Sequence, residues 1–153
     1  MVKASQIAES EYALGCTCFY LRSAARRATQ VYDEYLAAAG LTVNQYSLLS
    51  KLSRHAGVSV SRFAEVMSME RTTLTRNLKP LQAAGWLEIE SVGRTRALAL
   101  TRAGAAKLTE SIPLWQEAQS RVNQMLGART QRSLHHALKD SIRSLKEQHL
   151  PEA

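Results

Sequence analysis

The sequence predicts a mainly α-helical fold carrying one small β-hairpin, and three observations point to it. Apolar residues recur at three- and four-residue steps through most of the chain, the spacing of helices with one buried face. Glycine or a short hydroxyl residue punctuates the ends of these runs, as helix caps do. One stretch, Leu87 to Leu100, alternates apolar and polar residues around Gly93, the pattern of a hairpin. The bulk properties agree with one globular domain. The chain has 153 residues, 45% of them apolar and 22% charged, enough to build one core. It contains no apolar run of 18 residues, and its first residues, Met-Val-Lys-Ala-Ser-Gln-Ile-Ala-Glu-Ser, form no apolar signal core. No membrane span is therefore expected, and the expected location is the cytoplasm. There Cys16 and Cys18 are expected as thiols rather than as a disulfide.

The first helix is expected over Glu9 to Ala39. Leu14, Cys18, Leu21, Ala25, Ala28, Tyr32 and Tyr35 form its apolar stripe. Such a helix, ~45 Å long at 1.5 Å per residue, exceeds one small globule and should reach into a second subunit. Gly40 ends it. Thr42-Val-Asn-Gln45 fits a capping box, opening a helix from Val43 to Arg54 that Gly57 closes. Ser59 can cap a short helix, Val60 to Met67, in which Phe63, Val66 and Met67 are apolar.

The next helix runs between Ser68, a candidate N-cap, and Gly85, a candidate left-handed terminus. Leu74, Leu78 and Leu81 share one face. At 100° per residue, Thr72, Arg76 and Lys79 lie opposite, flanked by Thr73 and Thr75. Arg71 falls nearer the buried face. Glu70 is the one carboxylate, placed in the first turn where the helix dipole favours it. Pro80 is expected to bend or loosen this helix. Two strands with a loop Glu90 to Arg96 follow, and the tip carries Arg94 and Arg96. Thr101 can cap a helix running towards Leu126, with Pro113 inside it, and a last helix is expected over Arg129 to Gln148.

Two short helices joined by a tight turn, followed by an arginine-tipped hairpin, make a winged helix-turn-helix. Charge supports this use. The formal net charge is +7, and the excess is densest over residues 54–102, a distribution that attracts polyanions. The predicted architecture is thus one domain over residues 1–153. A DNA-binding region over 42–101 is inserted between helices at 9–39 and 102–148 that form a dimerisation module.

Element order and four motifs give the chain a family resemblance. The motifs are Leu41-Thr-Val-Asn-Gln-Tyr46, Met69-Glu-Arg-Thr-Thr-Leu-Thr-Arg76, Leu81-Gln-Ala-Ala-Gly-Trp-Leu87 and Leu100-Thr-Arg-Ala-Gly104. Together they resemble the MarR family of bacterial transcriptional regulators over residues 12 to 148. The wing departs from the family pattern in lacking an aspartate before its arginines. The resemblance implies a homodimer binding a pseudo-palindromic operator on double-stranded DNA, usually as a repressor of nearby genes. It also implies release by a small ligand or an oxidant. Neither a cofactor nor a metal is expected.

For DNA, the candidates at the major groove are Arg71, Thr72, Thr73, Thr75 and Arg76. Arginine can bond guanine bidentately, and threonine can meet a thymine methyl or a base edge. Ser59, Ser61 and Lys79 are candidates for phosphates, and Arg94 and Arg96 for the minor groove. For an organic effector such as an aromatic carboxylate, Arg22, Arg26, Tyr32 and Tyr46 are candidate lining. For an oxidant, Cys18-Phe-Tyr-Leu matches the organic-hydroperoxide-sensing branch of the family. Tyr32 stands where one of three thiol-poising tyrosines would be, and Arg22 and Val43 where the other two would be. The competing reading of Cys18 is a small buried apolar residue. On one helix, Cys16 and Cys18 would point about 200° apart and could not pair. No phosphate-binding glycine loop, nucleophile elbow or metal-ligand spacing is present, so no enzyme activity and no catalytic residue are expected. A non-specific architectural DNA protein is the remaining alternative.

Overall fold

The structure, a computed structural model, describes residues 15–92 and 95–147, with the backbone only for residues 91, 92, 95, 96 and 147. Helix α1 (Thr17–Leu36) continues into a 3-10 turn (Ala37–Ala39). Helix α2 (Val43–Leu52), strand β1 (Val58–Ser59) and helix α3 (Val60–Val66) follow. Helix α4 (Arg71–Ala83) leads into strands β2 (Leu87–Val92) and β3 (Thr95–Leu100). Helices α5 (Arg102–Leu126) and α6 (Ala128–Glu147) complete the described chain.

Local chemistry sets most of these boundaries. Thr42 and Gln45 form the expected capping box: the Thr42 hydroxyl accepts from the Gln45 N–H at 3.3 Å, and Gln45 Oε1 accepts from the Thr42 N–H at 2.9 Å. Ser59 accepts from the Arg62 N–H at 3.2 Å, and Thr101 from the Gly104 N–H at 3.0 Å. Each cap removes an unpaired donor from a first turn, contributing about 1 kcal/mol. At the far end of α4, Gly85 sits at φ 70. The N–H groups of Gly85 and Trp86 close back on the carbonyls of Gln82 and Leu81, a Schellman stop.

Ser68 corrects the sequence reading. It does not cap α4, whose N-cap is Glu70 with no side-chain capping bond. Ser68 lies at φ 51, and the N–H groups of Ser68 and Met69 donate to the carbonyls of Glu65 and Ala64. Ser68 therefore terminates α3 in the position glycine usually fills. A left-handed serine makes the turn of the helix-turn-helix.

Other boundaries also differ. Helix α2 stops at Leu52 rather than Arg54, and α3 at Val66 rather than Met67. The first helix begins at Thr17, after Gly15 at φ 73 and Cys16 in extended conformation. The expected portion over residues 9–14 lies outside the described residues, as does residue 148 of the last helix. Pro80 in α4 and Pro113 in α5 are each carried inside a continuous helix. Strand β1 was not expected. It pairs antiparallel with β3, Val58 with Leu98 and Ser59 with Ala97, giving a sheet of order β1-β3-β2.

The core forms where these elements meet. Leu36 and Leu41, Leu48, Leu49 and Leu52 of α2, and Phe63 of α3 are buried with Leu74, Leu78 and Leu81 of α4 and Leu87 and Leu98 of the sheet. Each such side chain contributes roughly 1.5–3 kcal/mol by leaving water. The three leucines of α4 thereby fix its rotation, and its opposite face must point outward.

Candidate nucleic-acid interface

Helix α4 presents Arg71, Thr72, Thr75, Arg76 and Lys79 around one shallow exposed hollow. Arg71 was expected nearer the core but is exposed, because the first turn projects beyond the packed leucines. Thr73 is half-buried, on the flank of this surface. The Thr75 hydroxyl donates to the Arg71 carbonyl at 2.8 Å. Its proton is thus committed, and it offers a methyl group and an acceptor oxygen. Ser61 is exposed at the start of α3. Ser59 accepts the Arg62 N–H, so its own proton stays available for an acceptor such as a phosphate oxygen.

In the wing, Ile89 lies opposite Leu98 and Leu87 opposite Leu100, while Arg96 pairs through its backbone with Ser91. The strands run on to Val92 and Thr95, which face each other across the tip, and so are longer than expected. Arg94 lies outside the described residues, and Arg96 contributes its backbone only.

Three long-range contacts hold this surface to the outer helices, and sequence reasoning found none of them. Asp33 of α1 accepts the Val43 N–H through Oδ1 at 2.6 Å, placing a carboxylate at the N-terminus of α2 where the helix dipole favours it. Lys107 of α5 donates to the Ala39 carbonyl at 3.3 Å, reaches Glu110 at 2.9 Å and stands 5.6 Å from the centre of the Trp86 ring. The Thr101 hydroxyl donates to the Gly85 carbonyl at 2.6 Å, tying the end of α4 to the start of α5.

The four effector candidates are not brought together. Tyr46 is buried and stacks on Trp115 at 5.6 Å. Tyr32 donates to Gln119 Oε1 at 2.7 Å, and Gln119 in turn donates to Asn123 at 2.9 Å. Burial pushes both phenol groups up from their ordinary value, so both act as neutral hydroxyls near pH 7. Arg22 and Arg26 are exposed. Arg26 bonds Ser23 and lines a hollow with Ser23, Arg27 and Gln30, which neither tyrosine lines.

Both cysteines are exposed on this single chain, Cys18 next to the exposed Phe19 and Tyr20. Cys16 is the N-cap and lies outside the helical wheel, which removes the argument that the two thiols point apart. Tyr32 sits fourteen residues beyond Cys18 on α1, or about 21 Å along its axis, so the two do not touch within one chain. Among the described residues, no group of three or more His, Cys, Asp or Glu is placed to share a metal. No helix there is long and apolar enough to cross a membrane.

An exposed helix of hydroxyls and cations, set on a helix-turn-helix and followed by a two-stranded wing, defines a winged helix-turn-helix DNA-binding protein. The MarR family model matches residues 39–97, and the M. tuberculosis transcriptional regulator MosR is 33% identical over 84% of this chain and 96% of its own, with a TM-score of 0.71. The chain belongs to the MarR family of transcriptional regulators. A structure of MosR in complex with DNA is 32% identical over 84% of this chain and 98% of that one, with a TM-score of 0.72. The reduced form of E. coli MarR is 25% identical over 82% and 96%, with a TM-score of 0.66. A comparison with curated protein sequences returns no match.

Proposed function

We propose that this DNA-binding regulator acts as a homodimeric repressor on a pseudo-palindromic operator, and that a small organic ligand releases it. The carrying observation is the division of α4 into two faces. Leu74, Leu78 and Leu81 are buried, while Arg71, Thr72, Thr75, Arg76 and Lys79 share the exposed hollow. In this reading residues 42–101 bind DNA. Thr72, Thr73, Thr75, Arg71 and Arg76 address bases; Ser59, Ser61 and Lys79 hold phosphates; Arg94 and Arg96 enter the minor groove. Helices at 9–39 and 102–148 form the dimer. Exposed Phe19 and Tyr20 at one end of the chain and Ile142 and Leu145 at the other supply apolar surface for it. A two-fold dimer reads half-sites about one helical turn apart, so a ligand that changes the spacing of its two lobes loosens both half-sites together.

Titration of the intergenic DNA upstream of the gene tests this. Saturable binding at least 10³-fold tighter than to random duplex is expected. Equal affinity for both DNAs would instead make the protein an architectural one. Release has a second reading, favoured by the exposure of Cys18 in the first turn of α1: oxidation of that thiol. Organic hydroperoxide should then free DNA from wild type but not from Cys18→Ser. Insensitivity of both proteins, combined with release by an aromatic acid, leaves the ligand reading.

A further inference from the structure

Helix α6 carries a second face that neither base reading nor dimerisation uses. Its apolar residues, Leu134, Leu138, Ile142 and Leu145, fall on one stripe. Arg129, Arg132, Lys139, Arg143 and Lys146 fall on another, centred about 130° round the helix at 100° per residue. All five cations are exposed. Between Ala128 and Lys146 the only carboxylate is Asp140. It stands 3.8 Å from Arg143 with both side chains more than half exposed, a pair that screens little of the stripe's charge. A dimer that covers the apolar stripe leaves the cationic one outside.

The position of this stripe gives it a partner. Ile142, Leu145 and Lys146 line one hollow, of about 710 Å³, with Ser68, Met69 and Glu70. Those last three residues lead directly into Arg71, the first residue of α4. Of the five cations Lys146 is the one that lines this hollow, so the C-terminal end of the stripe stands beside the turn that leads into the DNA-reading helix. From Lys146 back to Arg132 it spans fourteen residues, ~21 Å, which matches about six base pairs of duplex at 3.4 Å each. The net positive charge of the stripe complements phosphates, and DNA held by α4 is the polyanion at its near end.

We propose that the cationic stripe of α6 is a second DNA-contacting surface that grips the phosphates of duplex flanking the operator. This rests on the DNA-binding reading of α4. It makes the operator's surroundings contribute to affinity without contributing sequence preference, since phosphate contacts position a protein but do not read bases.

The test uses the full-length dimer and an operator selected from a random duplex library. The operator is made as a minimal duplex of ~20 base pairs, two half-sites long, and again with ~15 random base pairs added at each end, beyond the reach of the stripe. Affinity is measured against salt for wild type and for the combined variant Lys139→Gln, Arg143→Gln, Lys146→Gln. On the long duplex the variant should bind on the order of tenfold more weakly, with a log–log salt slope lower by about 2–3, at 0.9 per lost phosphate contact. On the minimal duplex the two proteins should match. Equal binding on both duplexes overturns the proposal. So does an equal loss on both, because the effect then comes through net charge or fold. Arg76→Ala separates the two readings: it should weaken binding at either length. If wild type selects no operator at all, the reading of α4 fails and this proposal fails with it.

Discussion

Replacing Gly104 with alanine should destabilise the protein by about 2–3 kcal/mol, in the upper part of the range for an overpacked site. Gly104 lies in the first turn of α5, buried against the start of β2. A Cβ at this position would stand 1.8 Å from the Trp86 carbonyl oxygen and 2.7 Å from its carbon. Both are backbone atoms and cannot swing aside. The Trp86 carbonyl also accepts the Thr101 N–H at 3.2 Å. Moving it would therefore disturb the helix cap, the Thr101–Gly85 bond and the exit from α4 together. The intrinsic preference of a helix for alanine offsets ~1 kcal/mol of this. At fixed protein concentration, the urea midpoint should fall by roughly 1 M, given a slope of 1–3 kcal/mol per molar. Ala106→Gly, on the exposed face of the same turn, should cost only ~1 kcal/mol. A Gly104→Ala protein as stable as wild type would mean that α5 does not approach Trp86 this closely.

Arg76→Ala should weaken operator binding by ~1–3 kcal/mol while leaving the unfolding free energy, measured in urea, within ~0.5 kcal/mol of wild type. Arg76 is exposed, lines the same hollow as Thr72 and Thr75, and projects opposite the buried Leu78. Its fork of donors suits the two acceptors of a guanine edge. Lysine cannot reproduce that geometry, so Arg76→Lys should recover the salt dependence but not the sequence preference. The comparison with random duplex decides the role. A base-reading arginine loses more on the operator than on random DNA. A phosphate-holding one loses equally on both and lowers the salt slope by about 1. An unchanged operator titration removes Arg76 from the interface.

Much of this architecture was legible because it is written in contacts three or four residues apart. Thr42, Ser59 and Thr101 each cap the helix they precede, and Leu74, Leu78 and Leu81 each face the core. Each cap bond closes within one turn, and the leucines share a face by helical period alone. Ser68 was misread because the same residue type that favours an N-cap can instead close the preceding helix in the left-handed region. Which of the two occurs depends on the angle between α3 and α4, which their packing sets. Strand β1 escaped notice because two residues have no periodicity. Val58 and Ser59 become a strand only when β3, some forty residues later, lies beside them.

The candidate site divides in the same way. That α4 has a polar, cationic face follows from the sequence by helical geometry alone. That Arg71 belongs to that face while Thr73 only flanks it depends on how far the first turn projects beyond its leucines. The four effector candidates shared a chemistry but no location, and the fold placed Tyr46 in the core, Tyr32 against Gln119 and the two arginines on the exposed length of α1. By itself the sequence determined the order of the helices and of the hairpin, the caps at Thr42, Ser59 and Thr101, the buried face of α4 and the resemblance to the family. Those properties are set by local sterics and by burial at a fixed period. Only the tertiary structure decided that Asp33 holds the N-terminus of α2, that Gly104 must lack a side chain, and that α6 ends beside the turn before Arg71. Those facts join residues far apart in sequence, and no local period encodes which distant surfaces will meet.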